Sequence, residues 1–314
     1  MMSTRTYRFV QLDVFTDQPF AGNPLAVFPE AEGLTGAEMQ RIAREMNLSE
    51  TVFVLPSDKA LRQLRIFTPL NELPFAGHPV VGTWNLLARE GLVLAPAAGG
   101  DGWTRIEQEL GIGVLGVDIE FKNAAPVRVV MTQGAFALGD EVTSETNRAM
   151  IAASLGLQLA DFHGQLPVRT ISTGIPFLAV PVCGLDALSR CRINNEALGV
   201  AVSGLGALGC YAWTTETREP ASAAHARMFV PDEGIGEDPA TGSAAGALGA
   251  YLVHHQALRA GAEEGGIFKF VIEQGDFAGR PSRIAVEVKG APHAIKEVRV
   301  GGPSVVVARG ELIF

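Results

Sequence analysis

The chain has 314 residues, more than one typical domain of roughly 100–200, so two domains are expected. With 47% hydrophobic and 19% charged side chains it can build substantial cores and does not have a disordered profile. A formal charge of −9 argues against nucleic acid or an acidic membrane as a partner, since either needs a basic patch, but leaves room for a small anion held by local dipoles.

Cys183, Cys191 and Cys210 are an odd set without C-x-x-C spacing and read as reduced core residues, not a disulfide framework or a zinc site. Met1 to Arg8 lacks the apolar stretch of a signal peptide. Ala197 to Trp213, the least charged stretch, is short and broken by four glycines, a poor membrane span. A reduced, cytoplasmic protein is expected.

In chain order, alternation at Tyr7 to Phe15 predicts a strand. Thr35 to Met46 predicts a helix: Thr35 and Glu38 have capping-box spacing, while Met39, Ile42, Ala43 and Met46 share one face. Asn47 is the expected stop, followed by strands at Thr51 to Leu55 and Leu64 to Thr68. Lys122 to Pro126 is the linker candidate, with a new strand from Val127 to Met131.

Three segments recur in the same order at slowly growing offsets, which suggests a duplicated α/β unit. Gly22-Asn-Pro-Leu-Ala-Val27 echoes Gly174-Ile-Pro-Phe-Leu-Ala-Val180, and Arg65-Ile-Phe-Thr-Pro69 echoes Arg227-Met-Phe-Val-Pro231. The turn Ala76-Gly77-His78-Pro79 echoes Thr241-Gly242-Ser243-Ala244. The helices after these turns, from Pro79 towards Gly91 and from Gly242 to about Gln256, are apolar nearly all round. Each is therefore expected to run buried through a curled sheet, small residues in the second letting strands approach closely. The expected division is 1–124 and 125–302, with the closing strand 303–314 free to pack on the first.

Both buried helices open on glycine turns, so their unpaired N–H groups would favour a carboxylate if the two ends face one cleft; ordinary turn glycines are the alternative. Glu50 stands where a helix gives way to the apolar strand Val52-Phe-Val54. Partial desolvation there would raise its pKa and suit proton exchange near neutral pH. A solvated loop carboxylate is the blander alternative, and the residues alone favour it. His78 could donate to a substrate or simply pack at a helix start. Asp238, before Pro239, could serve only as a helix cap.

Gly204-Leu-Gly-Ala-Leu-Gly209 fits G-x-G-x-x-G literally, but Cys210-Tyr-Ala-Trp213 after it predicts a strand, and the acidic residues near the required offset, Asp232 and Glu233, follow Pro231 in a turn. His254 and His255 lack a metal-spaced partner and read as a solvated helix end. No P-loop and no G-x-S-x-G occurs.

Phe20-Ala-Gly-Asn-Pro24, Asn47-Leu-Ser-Glu-Thr51, Glu72-Leu-Pro-Phe-Ala-Gly-His-Pro79 and Gly234-Ile-Gly-Glu-Asp-Pro-Ala-Thr-Gly-Ser-Ala244 resemble the signature blocks of the PhzF-like, phenazine-biosynthesis family. The resemblance implies the diaminopimelate-epimerase-like fold: two similar α/β domains, each a curled, mostly antiparallel sheet wrapped around a central buried helix. It implies an isomerase that moves a proton between carbons of a small anionic, cyclic carboxylic acid substrate, with no cofactor and no metal. By motif, Glu50 takes the acid–base role and His78 and Asp238 hold the substrate, with Gly77, Gly242 and Ser243 as substrate-binding positions. Family analogy suggests a homodimer. The fold's racemases use two facing cysteines, and aligning the glycine turns puts Ala76 and Thr241 at those positions, so a two-thiol mechanism is not expected. The rival readings are an epimerase acting at one carbon and a catalytically silent binding or interaction protein of the same fold.

Overall fold

A computed structural model describes residues 4–96, 100–231 and 236–314. The chain divides into two compact units, one of residues 1–131 with 301–314 and one of residues 132–300.

In the first unit β1 (Thr6–Val14) pairs antiparallel with β2 (Asn23–Phe28). A parallel step joins β2 to β3 (Glu50–Leu55), with α1 (Gly36–Met46) as the crossover. β4 (Arg62–Phe67) runs antiparallel to β3 and to the short β5 (Glu72–Leu73), which leads into α2 (Gly77–Arg89). β6 (Gly102–Leu110) then pairs parallel with β4 and antiparallel with β7 (Gly113–Lys122), and β8 (Ala125–Thr132) follows. The closing strand, Ser304–Ile313, returns to lie antiparallel to β1.

The helix at residues 36–46 forms for the local reasons its sequence advertises. Thr35 accepts from the Glu38 N–H while the Glu38 carboxylate accepts from the Thr35 N–H, and Asn47 closes the helix in the left-handed conformation at φ 50°. Its apolar stripe, Met39, Ile42 and Ala43, covers Phe28, Phe53 and Phe67 on one face of the sheet. The other face wraps α2, whose residues His78 to Ala88 are all buried and which packs on β1, β2, β3 and β7. Gly22 permits the turn into β2: at φ 64° a Cβ would meet the Val14 carbonyl oxygen.

The second unit opens with β9 (Ala137–Glu141) and α3 (Glu145–Ser154). It then repeats the first unit's pairing scheme through β10 (Arg169–Ser172), β11 (Pro176–Pro181), α4 (Leu185–Arg190), α5 (Asn195–Gly204), β12 (Gly209–Thr214), β13 (Ser222–Val230) and β14 (Gly236–Asp238). β10 and β11 are antiparallel, β11 and β12 parallel, and β12 to β14 antiparallel, as β1 to β5 are. After α6 (Gly242–His254) and the small β15 (Ala262–Glu264), β16 (Ile267–Gln274) pairs parallel with β13 and antiparallel with β17 (Ser282–Ala291), matching β6 and β7; β18 (Ala294–Gly302) completes the unit. Helices α3, α4 and α5 cover the outer face through Ile151, Leu188, Leu198 and Val202. β12 and β13, covered on both sides, are buried at every residue. Along α6, a Cβ on Gly246 would lie 2.8 Å from Val300 and one on Gly249 2.7 Å from Val286, so small residues set how closely the strands pack. The duplicated α/β unit expected from the echoes is present, in the diaminopimelate-epimerase-like arrangement that the resemblance implies.

Two readings need correction. Lys122 to Pro126 is no linker: Phe121 pairs with Pro126 and Lys122 with Ala125, and Asn123 and Ala124 turn between them at φ 50° and 61°, a two-residue hairpin. Asp238 does not cap α6; it ends β14, and Thr241 occupies the cap position. The literal glycine motif at 204–209 is the end of α5 and the approach to β12, while Asp232 and Glu233 lie outside the described residues.

The Arg-x-Phe echo has a structural cause. Arg65 on β4 binds Glu72 on β5 with two bonds of 2.7 Å, and Arg227 on β13 binds Glu237 on β14 at 2.9 and 2.7 Å. Each guanidinium also lies over the phenylalanine two residues on, at 5.2 Å from Phe67 and 4.9 Å from Phe229. The repeat thus conserves a clamp on the hairpin that delivers the chain to α2 or α6.

Candidate active site

In the first unit, β2, β3 and α2 bring three polar residues together at their starts. Asn23 opens β2, Glu50 opens β3 one strand away, and His78 is the second residue of α2. His78 Nε2 stands 3.2 Å from Glu50 Oε2, and Asn23 Nδ2 stands 3.2 Å from His78 Nδ1. Asn23 and His78 are buried, and the Glu50 side chain is 16% exposed. With the amide N–H of Asn23 donating to Nδ1, the proton of a neutral imidazole sits on Nε2, the nitrogen that faces Glu50. The Nε2–Oε2 approach falls short of hydrogen-bond alignment, so the His78 N–H is not consumed by it. Ala76, the cap residue of α2, makes no side-chain cap bond, which leaves the first-turn N–H groups beside Gly77 and His78 without a cap from that residue.

Burial pushes the His78 pKa down to about 3 from the ordinary 6.5. The imidazole is therefore neutral at pH 7, even with the Glu50 carboxylate nearby. Because the folded pKa is depressed, the unfolded chain binds more protons across this window. The stability that neutral His78 contributes is therefore complete above about pH 6.5 and is lost as pH falls towards 3. His255, lowered to about 4 chiefly by burial, adds to the same loss. Denaturant midpoints measured at pH 7 and pH 5 should accordingly differ less in His78→Gln than in the wild type; equal losses would show that His78 is not held neutral.

In the second unit, Asp238, Thr241, Gln274 and Tyr211 form a continuous network. Thr241 Oγ1 donates to Asp238 Oδ2 at 2.5 Å, and the buried Gln274 amide bridges Thr241, the Asp238 carbonyl and the Tyr211 hydroxyl. Thr241 makes no side-chain cap bond; its hydroxyl donates to Asp238 and accepts from Gln274. Ser243 is buried in the first turn of α6, its carbonyl accepting from Thr173 Oγ1 at 3.2 Å, and Gly242 begins that helix. Of the residues singled out in the sequence, Glu50, His78 and Gly77 thus gather in the first unit, and Asp238, Gly242 and Ser243 in the second.

Asn23, Thr241, Gln274 and Tyr211 were not singled out as site residues. Asn23 and Thr241 do lie inside echoed segments, and that was the available signal. Gln274 and Tyr211 carry no motif and reach the site only through strand pairing.

None of the cysteines joins either cluster. Cys191 and Cys210 are buried in the core under α4 and α5, and Cys183 is exposed with its thiol donating to the Phe162 carbonyl. Ala76 and Thr241 do occupy equivalent cap positions at the starts of α2 and α6. Among the described residues no group of three or more potential ligands could hold a metal, and no helix is long and apolar enough to cross a membrane.

A family profile described as phenazine biosynthesis-like protein matches residues 12–310. The trans-2,3-dihydro-3-hydroxyanthranilate isomerase of Pseudomonas fluorescens is 34% identical over 312 residues, spanning 98% of this chain and 100% of that protein. The solved structure of a phenazine biosynthesis protein of the PhzF family from Bacillus anthracis superposes with a TM-score of 0.86 at 30% identity, over 99% of this chain and all of that one. A hydroxyproline epimerase from Agrobacterium vitis, 13% identical with a TM-score of 0.63 over 100% of this chain and 93% of its own, shares the fold alone. On the full-length match and the duplicated architecture together, the chain belongs to the phenazine biosynthesis-like protein family and is an enzyme of the isomerase class.

Proposed function

We propose that this isomerase moves a proton between two carbons of a small anionic substrate, a cyclic carboxylic acid, with Glu50 as base and then acid. The observation that carries the reading is the 3.2 Å approach of Glu50 Oε2 to a buried, neutral His78 at the first turn of α2. A C–H next to an electron-withdrawing group releases its proton when a base accepts it and the charge left behind is stabilised. Glu50 is placed to accept. The His78 N–H and the first-turn backbone N–H groups of α2 are the donors that would take up the developing charge. An uncharged imidazole is the better partner here, since an imidazolium at 3.2 Å would bind the Glu50 carboxylate in place and weaken it as a base. The family motifs assign Asp238 and Ser243 to orienting the substrate and Gly77 and Gly242 to supplying backbone N–H groups. The proton passes only from a substrate carbon to Glu50 and back to a second carbon, so the cycle calls for no cofactor. Three unpaired cysteines fit a cytoplasmic setting.

The relative's substrate, trans-2,3-dihydro-3-hydroxyanthranilate, is the first compound to offer. Turnover in D2O followed by proton NMR should place deuterium on a carbon other than the one that lost its proton. Deuterium confined to the original carbon would make the enzyme an epimerase. Absence of exchange and turnover across a panel of cyclic carboxylic acids would favour the binding-protein reading.

A further inference from the structure

Gln274, the last residue of β16, is fully buried, and its amide fills every hydrogen-bonding position it has. Nε2 donates to the Asp238 carbonyl at 2.8 Å and to Thr241 Oγ1 at 3.0 Å. Oε1 accepts the Thr241 backbone N–H at 3.2 Å and the Tyr211 hydroxyl at 2.9 Å. Two of these four partners are backbone groups with fixed polarity. A carbonyl can only accept and a backbone N–H can only donate, so the amide has one admissible orientation and cannot be flipped.

Thr241 Oγ1 accepts from the amide and directs its own proton at Asp238 Oδ2, 2.5 Å away. That distance is the one found for a hydroxyl donating to an ionised carboxylate. Tyr211 must donate to Oε1, and burial raises its pKa well above the ordinary value, so it retains the proton it donates. The chain of bonds therefore runs from the amide through Thr241 to a carboxylate acceptor.

We propose that Gln274 is a positioning residue that, acting through Thr241, holds Asp238 as a hydrogen-bond acceptor. The consequence for the substrate rests on the role given to Asp238 above. An obligate acceptor selects for a hydroxyl or ammonium group at that point and against a second carboxylate. Glycine at 275 supports the arrangement by letting the strand end fold close to the Asp238–Pro239 turn, since a Cβ there would lie 2.5 Å from the Pro239 carbonyl oxygen.

The test is read in ligand-free protein labelled with 13C-carboxyl aspartate, the Asp238 signal being identified by its loss in Asp238→Asn. Gln274→Glu keeps the size of the side chain, removes both donors and offers the Thr241 hydroxyl a competing acceptor. Thr241→Val keeps the shape and removes the hydroxyl alone. In both variants the midpoint of Asp238 titration is expected to rise by about one unit or more, the effect of losing a hydrogen bond to the ionised form. Unchanged midpoints in folded Gln274→Glu and Thr241→Val proteins would overturn the proposal. If Gln274→Glu does not fold, Thr241→Val decides, because it removes only one hydroxyl. Since no substrate is present, failure of the Glu50 reading leaves this result untouched, and failure here leaves the Glu50 reading standing.

Discussion

Glu50→Gln is expected to lower turnover at least about a hundredfold with the fold intact, while a variant with Cys183, Cys191 and Cys210 all changed to Ala or Ser keeps its rate. The glutamine retains the length of the side chain at the start of β3 and loses only the capacity to take and return a proton. General acid–base groups are typically worth about 10²–10⁴ in rate, and the lower end of that range is the threshold set here. The thiols offer no substitute. Burial pushes the Cys191 thiol up to about 11 and raises that of Cys210 as well, so neither supplies a thiolate near neutral pH. Cys183 is exposed but hydrogen-bonded to the Phe162 carbonyl, on residues that belong to neither polar cluster. Turnover of trans-2,3-dihydro-3-hydroxyanthranilate, or solvent deuterium exchange into whichever cyclic acid proves active, provides the readout, with circular dichroism to confirm folding. A folded, thiol-free enzyme that is dead beside an active Glu50→Gln enzyme would remove Glu50 from the shuttle.

What the sequence disclosed and what it hid divide along one physical line. Features stabilised within a few residues were legible. The helix at 36–46 announced itself because Thr35, Glu38 and Asn47 satisfy its end groups locally. The burial of α2 and α6 was legible because a helix without a polar face has nowhere else to go. The hairpin at 122–126 was misread because lysine, asparagine and proline are as suited to a linker as to a turn; only the pairing of Lys122 with Ala125 tells them apart. The polar clusters were half legible. Glu50 and His78 sit in recognisable blocks, but their contact joins residues 28 positions apart, and Asn23 reaches His78 across 55. Gln274 reaches back 33 residues to Thr241 and 63 to Tyr211 through strand pairing that no local pattern encodes.

The repeated arginine clamp yields the largest expected effect on stability, and an asymmetry between the two units. Arg65 and Arg227 make the same bidentate carboxylate pair and the same stacking on phenylalanine, yet their surroundings differ. The Arg65 side chain is 29% exposed and its partner Glu72 41%, so water competes for both charges and the pair contributes about 0–1 kcal/mol. Arg227 is only 7% exposed. Beyond Glu237 it donates to the Leu188 and Cys191 carbonyls at 3.0 and 3.1 Å, closing the end of α4, and it also lies against Phe277. Removing it takes one donor from each of two carbonyls, which keep the Cys191 N–H and the Arg192 guanidinium, and leaves a largely buried carboxylate without its cation. Breaking a buried pair from one side costs about 3–5 kcal/mol, so Arg227→Ala should destabilise by that order and Arg65→Ala by about 1 kcal/mol or less. Denaturant midpoints for the two variants, measured at pH 7 in the same salt, test this directly. Arg227→Met, which refills the stem volume, should recover little, because the loss lies in the buried carboxylate left without its cation and not in the packing. Equal midpoints for Arg65→Ala and Arg227→Ala would show that burial does not separate the two copies of the clamp.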